Sequence, residues 1–163
     1  MKRLLALALS VGAVALAAPA SAQNAGQAAR VRAGASCSGC NLFQADLTGV
    51  ERRGLNLSRA RLRQASLTAV VMTRASFAGA DLRDADASAS VFTGASFAGA
   101  DLTNANFVGS YLQGANFRGA NLSGAVFSGA EMDRAVGLTQ RQLDQACGDE
   151  TTRLPAGLRI PRC

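Results

Sequence analysis

Apolar residues recur at every fifth position through the middle of the chain, from Leu42 to Met132. In its cleanest copies the unit reads alanine, polar, leucine or phenylalanine, any residue, glycine, and from Cys40 onward it repeats nineteen times in one register. Each of these fifth positions holds leucine, phenylalanine or methionine except Arg52 and Ala87. At about 100° per residue this spacing scatters apolar side chains around a helix, and on a flat strand it alternates between faces. The pattern therefore excludes both regular elements.

The spacing is satisfied if the chain turns a corner after each unit. Three extended residues then point inward, outward and inward, and two outward residues form the bend. Glycine occupies the last bend position in ten copies, and a turn with positive φ selects glycine because it has no Cβ to clash. The sequence predicts a solenoid of short strands separated by bends.

These residues resemble the pentapeptide-repeat family, whose A(D/N)LxG-like unit stands nearly unchanged at 80–82, 100–102, 105–107 and 120–122. The resemblance implies an all-β solenoid, a right-handed quadrilateral parallel β-helix of about five coils with a short C-terminal α-helix cap. Wrapping the sequence at the family's twenty residues per coil stacks leucine on leucine and phenylalanine on phenylalanine. The stacked columns support the fold that the resemblance implies.

The register divides the chain into four segments. Lys2 and Arg3 precede an apolar stretch, and 19–22 reads Pro-Ala-Ser-Ala, the small-x-small pattern of a signal-peptidase site. Cleavage after Ala22 predicts a periplasmic or secreted protein that keeps no transmembrane anchor. The predicted segments are a signal peptide at 1–22, a flexible leader at 23–36, the β-helix at 37–134, and a capping helix with its tail at 135–163.

Export changes how the four cysteines are interpreted. An even number of cysteines in an oxidising compartment indicates disulfides, and three connectivities are formally possible. Cys37 and Cys40 lie at the entrance of the expected solenoid, whereas Cys147 and Cys163 lie beyond its far end, about 20 Å away. A disulfide needs Cα atoms within about 7 Å. The geometry therefore favours Cys37 with Cys40 and Cys147 with Cys163.

The C-terminal segment differs from the repeats. The sequence 139–142 has the form of a capping box and predicts a short helix. A solenoid end exposes unpaired backbone that invites edge-to-edge association, so a cover is needed there. The Leu-Thr-Gln, Ala-Cys-Gly-Asp-Glu and Leu-Pro stretches of this tail also resemble tails found in the family. We expect this segment to close the last coil.

Composition argues against catalysis. The chain has no histidine and no tryptophan, and aromatic residues make up only 5%. It contains no Ser/His/Asp or Cys/His set, no phosphate-binding glycine loop and no metal-ligand cluster. We therefore expect no catalytic residues, no cofactor, no metal and no small-molecule substrate.

The outer surface is where a function is expected. Val71, Val91 and Tyr111 would stack at outward positions that are mostly polar elsewhere. An outward apolar stripe indicates a surface for a partner or for self-association, although β-branched and aromatic residues also favour strands. The leading interpretation is a non-catalytic exported scaffold that binds an envelope protein or a second copy of itself through these three residues.

A basic patch provides the alternative interpretation. Arg61, Arg63 and Arg83 share one side and would attract polyanions such as glycans, lipid headgroups or nucleic acid. Asp81 would lie directly above Arg61, which favours ordinary surface ion pairing. Nucleic acid is disfavoured because no aromatic platform accompanies the arginines.

The family resemblance implies one further activity, because some members are acidic rods that imitate DNA and protect type II topoisomerases from quinolones. This chain carries 17 basic and 11 acidic side chains, a net charge of +6, and loss of Lys2 and Arg3 leaves +4. A basic rod has the wrong sign for a DNA mimic.

Arg52 stands at a position of the repeat that is otherwise expected to point into the core. The repeat pattern leaves open whether its side chain bulges outward or caps the entrance of the solenoid.

Overall fold

The computed structural model describes residues 20–163, with side chains from Asn24 onward. The predicted signal segment 1–22 lies outside the described residues except for the backbone of 20–22. The described chain opens with helix α1 (Ala20–Arg32), continues as a solenoid over 37–136, and ends with helix α2 (Gln140–Leu143) and a tail. Neither helix is long and apolar enough to cross a membrane.

Each coil of the solenoid has four sides. Parallel bridges join residues twenty positions apart, from Asn41 with Arg61 to Asn116 with Val136, and each side contributes one bridge residue per coil. Each strand is therefore very short, with a single bridge residue that pairs with the coils on either side, because the chain bends before a longer ladder can form. We number the sides in chain order, so that the first coil contains side 1 at 41–44, side 2 at 46–49, side 3 at 51–54 and side 4 at 56–59. A rung is one side of one coil, numbered from the first coil.

The core consists of four columns of inward side chains, one for each side. Every repeat leucine, methionine and phenylalanine from Leu42 to Met132 is at most 3% exposed. Two buried serines interrupt the apolar lining. Ser90 Oγ donates to the Leu67 carbonyl at 2.6 Å, and Ser110 Oγ donates to the Ala87 carbonyl at 2.7 Å. These hydrogen bonds satisfy the two hydroxyls inside an otherwise apolar interior.

Helix α1 covers the entrance of the solenoid. Ala28 and Val31 are buried against the first coil, which places their side chains on one face of the helix. Gln27 Oε1 accepts the Asn41 backbone N–H at 2.6 Å, and the Arg32 guanidinium donates to the Asp46 carbonyl. The helix thus supplies hydrogen bonds that a preceding coil would otherwise provide.

This arrangement differs from the flexible leader expected at 23–36. The expectation followed from a polar, alanine-rich and glycine-rich composition. Two small apolar residues three positions apart suffice for docking here, because the open end of the first coil offers both apolar surface and unpaired backbone groups. A stripe of only two residues is too short to be recognised from the sequence pattern.

Arg52 lies at the entrance and points outward. Its side chain is exposed, and Nη1 donates to the carbonyl of its own neighbour Glu51 at 2.7 Å. A Cβ on Gly34 would lie 3.0 Å from Arg52 Nε, so the guanidinium passes close beside that glycine. The charged side chain therefore lies outside the core, which is possible in the first coil because no earlier coil packs against this side.

The C-terminal segment closes the other end. Thr139 and Gln142 form the predicted capping box of α2, and Leu143 is fully buried. Gln142 Nε2 donates to the Phe117 carbonyl at 2.9 Å and to the Ala120 carbonyl at 2.8 Å. The tail adds backbone bonds to the last coil, including Arg153 N–H to the Ala130 carbonyl. The segment replaces the missing next coil, as expected of a solenoid cap.

Two disulfides fasten the two ends. The structure joins Cys37 to Cys40, with Cα atoms 5.5 Å apart, and Cys147 to Cys163, with Cα atoms 4.8 Å apart. This is the pairing expected from the sequence. The second bridge closes the tail onto the segment that follows α2, so the C-terminal cap is held covalently as well as by hydrogen bonds.

Asp149 anchors the tail to the last coil, and its titration should be visible in stability. The hydroxyl of Thr151 donates to its carboxylate, with further hydrogen bonds from the Gly129 N–H and Thr152, and together they lower the pKa of Asp149 to about 2. A carboxyl with a lowered folded pKa stabilises the protein above its ordinary pKa of 3.8, and this contribution is lost as the pH falls toward 2. We expect the melting temperature of Asp149→Asn to fall less steeply between pH 4 and pH 2 than that of the unmodified chain.

Asp144→Asn is the matched control, because Asp144 lies outside side 3 and its carboxylate accepts one hydrogen bond, from the Gln140 side chain, which an asparagine Oδ1 can also accept. Thermal unfolding followed by circular dichroism at a series of pH values gives the comparison. Equal slopes for the unmodified chain and Asp149→Asn would show that the hydrogen bonds to Asp149 do not contribute to stability.

Candidate protein-interaction surface

The apolar stripe is a continuous ladder on side 3. Backbone bridges join Val71 to Val91 and Val91 to Tyr111, so the three side chains follow one another on consecutive rungs. Tyr111 is 47% exposed, whereas the two valines are half-buried. The structure thus brings together the three residues that the sequence singles out, on one outward column.

The surroundings of the stripe are mostly uncharged. The other outward column of side 3 carries Thr73, Thr93 and Gln113 on the same rungs. Val108, 40% exposed, lies just around the corner from Tyr111 and extends the apolar surface onto side 2. Rungs 3 and 4 of side 3 contain no charged group, and the only charged side chain of rung 2 is the exposed Arg74 at the bend. Few charges would therefore have to be desolvated when the centre of the stripe is covered.

Charged residues frame the stripe at both ends, and sequence reasoning missed them. Glu51 precedes Val71 in the ladder and Glu131 follows Tyr111, while Arg53 and Asp133 occupy the neighbouring outward column. None of these four side chains forms an ion pair with another residue of 20–163. These positions are predictable from the sequence, because wrapping it at twenty residues per coil places the four charged residues above and below the stripe.

The arginine patch on side 1 is largely neutralised within the chain. Arg83 Nη2 lies 2.6 Å from Asp81 Oδ2, and its Nε lies 3.7 Å from Asp101 Oδ2. Arg63 Nε lies 3.4 Å from Asp84 Oδ2. Only Arg61 of the three predicted polyanion contacts lacks an ion-pair partner among the described residues.

These pairs also shift titration. The hydrogen bond from the Arg83 guanidinium holds the pKa of the Asp81 carboxyl below its usual value, and the same contact raises the pKa of Arg83. Asp81 is therefore ionised at neutral pH and held by arginine, which is unsuited to a general acid or base. The charges of side 1 form a surface ion-pair cluster.

The ends of the rod carry shallow grooves. One lies between α1 and the first coil and is lined by Asn24, Ala28 and Phe43, among others. Its two charged side chains, Arg32 and Asp46, lie 3.6 Å apart and pair with each other. Within the described part of the chain no set of three or more acidic or cysteine side chains converges as a metal site would require. These features bring no nucleophile and base together.

The chain is similar in sequence to a known repeat. A sequence model described as "Pentapeptide repeats" matches in eight copies, over the overlapping segments 56–94, 72–109 and 100–136. No curated protein is significantly similar to the chain.

Solved structures give the same result. Rfr23, a pentapeptide repeat protein from the cyanobacterium Cyanothece 51142, is 25% identical over 83% of this chain and 99% of that chain, with a TM-score of 0.61. A pentapeptide repeat protein from the Arabidopsis thaliana thylakoid lumen is 33% identical over 56% of this chain and 67% of that chain, with a TM-score of 0.48. The fluoroquinolone resistance protein QnrB1 is 20% identical over 76% of this chain and 78% of that chain, with a TM-score of 0.36. The family match and the similarity to Rfr23 confirm the predicted right-handed quadrilateral β-helix.

Proposed function

Because the chain belongs to the pentapeptide-repeat family, a family of right-handed quadrilateral β-helices, we propose that it is an exported, non-catalytic scaffold that binds a protein through side 3. The observation that supports this most directly is the uncharged ladder of Val71, Val91 and Tyr111 between two charged rungs. An apolar centre with a polar rim is the usual composition of a protein interface. Tyrosine is also enriched among the residues that dominate binding energy.

The rigidity of the solenoid favours binding. The backbone of side 3 is held by bridges to the rungs on either side, so a partner would meet a preformed surface. Covering Tyr111, which is 47% exposed, removes the largest apolar side chain of side 3 from water. We therefore expect Tyr111 to be the main anchor, with the valines supplying shape complementarity.

Export is supported by two separate features. The sequence of 1–22 has the order of a signal peptide, with basic residues, an apolar stretch and a small-x-small cleavage pattern. Both disulfides of the structure are of a kind that persists in oxidising compartments and is rare in the cytosol. We place the mature protein in the periplasm or outside the cell.

The alternative functions have weaker support. Polyanion binding by Arg61, Arg63 and Arg83 would compete with the ion pairs that Arg63 and Arg83 already make. Its affinity would fall steeply between about 50 and 200 mM salt, whereas an apolar surface would respond little. A topoisomerase-protecting DNA mimic would need a net negative charge, which this chain lacks.

Site-specific photo-crosslinking in the cell envelope tests the proposal. The full chain carries a photoreactive amino acid at Val91, at the centre of the stripe. A second variant carries it at Ala98, on side 4 of the same coil and equally half-buried. We expect a discrete protein adduct from position 91 and none from position 98. No adduct from either position, with the folded protein present in the envelope, would rule out side 3 as a protein-binding surface.

A further inference from the structure

The charge of the solenoid is polarised along its axis. Residues 24–80 carry eight arginines and two acidic side chains, whereas residues 81–136 carry three arginines and six acidic side chains. The entrance half is therefore basic and the far half acidic, although the whole chain has a modest net charge. A rod with this distribution attracts a copy of itself that runs in the opposite direction.

Side 3 repeats this polarity symmetrically about its middle rung. In the column of Thr93, Arg53 lies two rungs toward the entrance and Asp133 lies two rungs toward the far end. In the column of Val91, the apolar residues Val71 and Tyr111 lie one rung away on either side. The side is thus apolar at its centre. At equal distances of about 10 Å along the rod, the Thr93 column carries opposite charges, whereas the Val91 column carries Glu51 and Glu131.

We propose that the protein bound on side 3 is a second copy of this chain, packed antiparallel about a twofold axis at Val91. The proposal rests on the function proposed above, because it names the partner for the same surface. In this arrangement Val91 meets the partner's Val91, and Tyr111 covers the partner's Val71. Arg53 faces the partner's Asp133, and the twofold axis makes each of the latter two contacts twice.

Antiparallel packing is favoured over parallel packing because of the outward columns that each arrangement brings into contact. A twofold axis along the rod would lay the apolar column against the partner's threonine column. It would pair Arg53 with the partner's Glu51, but it would also place Glu131 against the partner's Asp133. An axis across the rod lays the apolar column against itself and brings opposite charges together at Arg53. With the axis along the rod each end rung faces its own copy, so net charges of the same sign meet at rung 1 and at rung 5, which disfavours the parallel arrangement.

One like-charged contact remains in the antiparallel arrangement, because Glu51 faces the partner's Glu131, and the twofold axis makes this contact twice as well. Two neighbours offset it. The Arg52 guanidinium lies beside Glu51, with Nη1 2.7 Å from the Glu51 carbonyl, and Gln113 Nε2 donates to Glu131 Oε2 at 2.7 Å. The net charges of the facing rungs are opposite, since rung 1 carries Arg52 and Arg53 with Glu51, and rung 5 carries Glu131 and Asp133 with Arg134.

The contact is small, so the dimer should be reversible. Five rungs at about 4.8 Å give a face about 24 Å tall, and three extended residues give it a width of about 10 Å. Standard interfaces bury about 800 Å² on each partner, more than this single side provides. The face of about 240 Å² lies well below that class, so we expect a transient dimer with a dissociation constant on the order of 100 µM or weaker.

A charge swap between Arg53 and Asp133 tests the arrangement, because neither residue has an ion-pair partner in the described chain. Arg53→Asp alone and Asp133→Arg alone each place like charges across the interface. Each single variant should weaken dimerisation by at least about tenfold in sedimentation equilibrium of the exported protein. The double variant restores opposite charges and should recover to within about threefold of the unmodified chain. Equal melting temperatures show that all variants are folded.

The adduct from the crosslinker at Val91 separates this proposal from the one on which it rests. An adduct of twice the chain mass, together with rescue by the double variant, supports the antiparallel dimer. An adduct of another mass overturns the second copy as partner while side 3 remains a protein-binding surface. A double-mass adduct without rescue overturns the antiparallel register, and no adduct at all overturns both proposals.

Discussion

Replacing Phe97 with alanine is expected to lower the free energy of unfolding by about 4 kcal/mol. Phe97 is fully buried, and its ring lies between those of Phe77 and Phe117 at centroid distances of 5.1 and 5.3 Å. It also meets the edges of Phe92 and Phe107 at 5.5 and 5.6 Å. The backbone of each coil is tied to the next, so the cavity cannot close by collapse.

Phe43→Ala is the matched control for this prediction. It is the same substitution at a ring that is 39% exposed on the outside of the first coil. We expect a loss below about 1 kcal/mol, because less apolar area leaves water on folding. Urea unfolding with both disulfides intact gives the two values. Similar losses at positions 43 and 97 would mean that the phenylalanine stack does not dominate the stability of the rod.

Replacing Gly137 with alanine is expected to lower the free energy of unfolding by about 3 kcal/mol or more, because a positive φ and a steric clash combine there. Gly137 has φ of +75°, and an added Cβ would lie 2.7 Å from the Arg118 nitrogen and 2.9 Å from its Cα. Both are backbone atoms of the coil beneath. The chain would have to shift where it leaves the solenoid toward α2, so the cap would lose its contacts as well.

Gly119→Ala separates the two penalties. Gly119 has φ of +66°, and a Cβ there would meet nothing within 4 Å. Ala69 and Ala89 adopt the same backbone conformation at φ of 56° and 52°, so alanine is tolerated at the bends. We expect a loss of about 1 kcal/mol at this position. If both substitutions cost the same in urea unfolding, the approach of Gly137 to Arg118 has no energetic consequence.

The period of the sequence determines how much of the structure is predictable. Inward positions fall on every fifth residue, so the columns, the sides and the stacking of Val71 on Val91 follow from counting. Disulfide pairing follows as well, because the rod keeps the two pairs of cysteines apart. Segments outside the five-residue repeat cannot be placed in this way. The docking of α1 depends on Ala28 and Val31, which meet a surface that exists only once the first coil has formed.

The ion pairs show a second limit. Stacking places Asp81 on Arg61 in the backbone ladder, yet the guanidinium that reaches Asp81 comes from Arg83 of the same rung. A long side chain can choose among several carboxylates within reach, and the register fixes only where its Cα lies. Positions of columns are therefore predictable from this sequence, whereas pairings of flexible charged side chains are not.

Every bridge of the solenoid, from Asn41 with Arg61 to Asn116 with Val136, spans twenty residues. Each coil therefore closes a loop of the same length at the same entropic cost, and no distant parts of the chain must meet for the rod to form. We expect folding to start where phenylalanines are most concentrated and to proceed as a zipper, one coil at a time, in both directions. The order of assembly would then follow the sequence outward from its centre, and the terminal disulfides would close last.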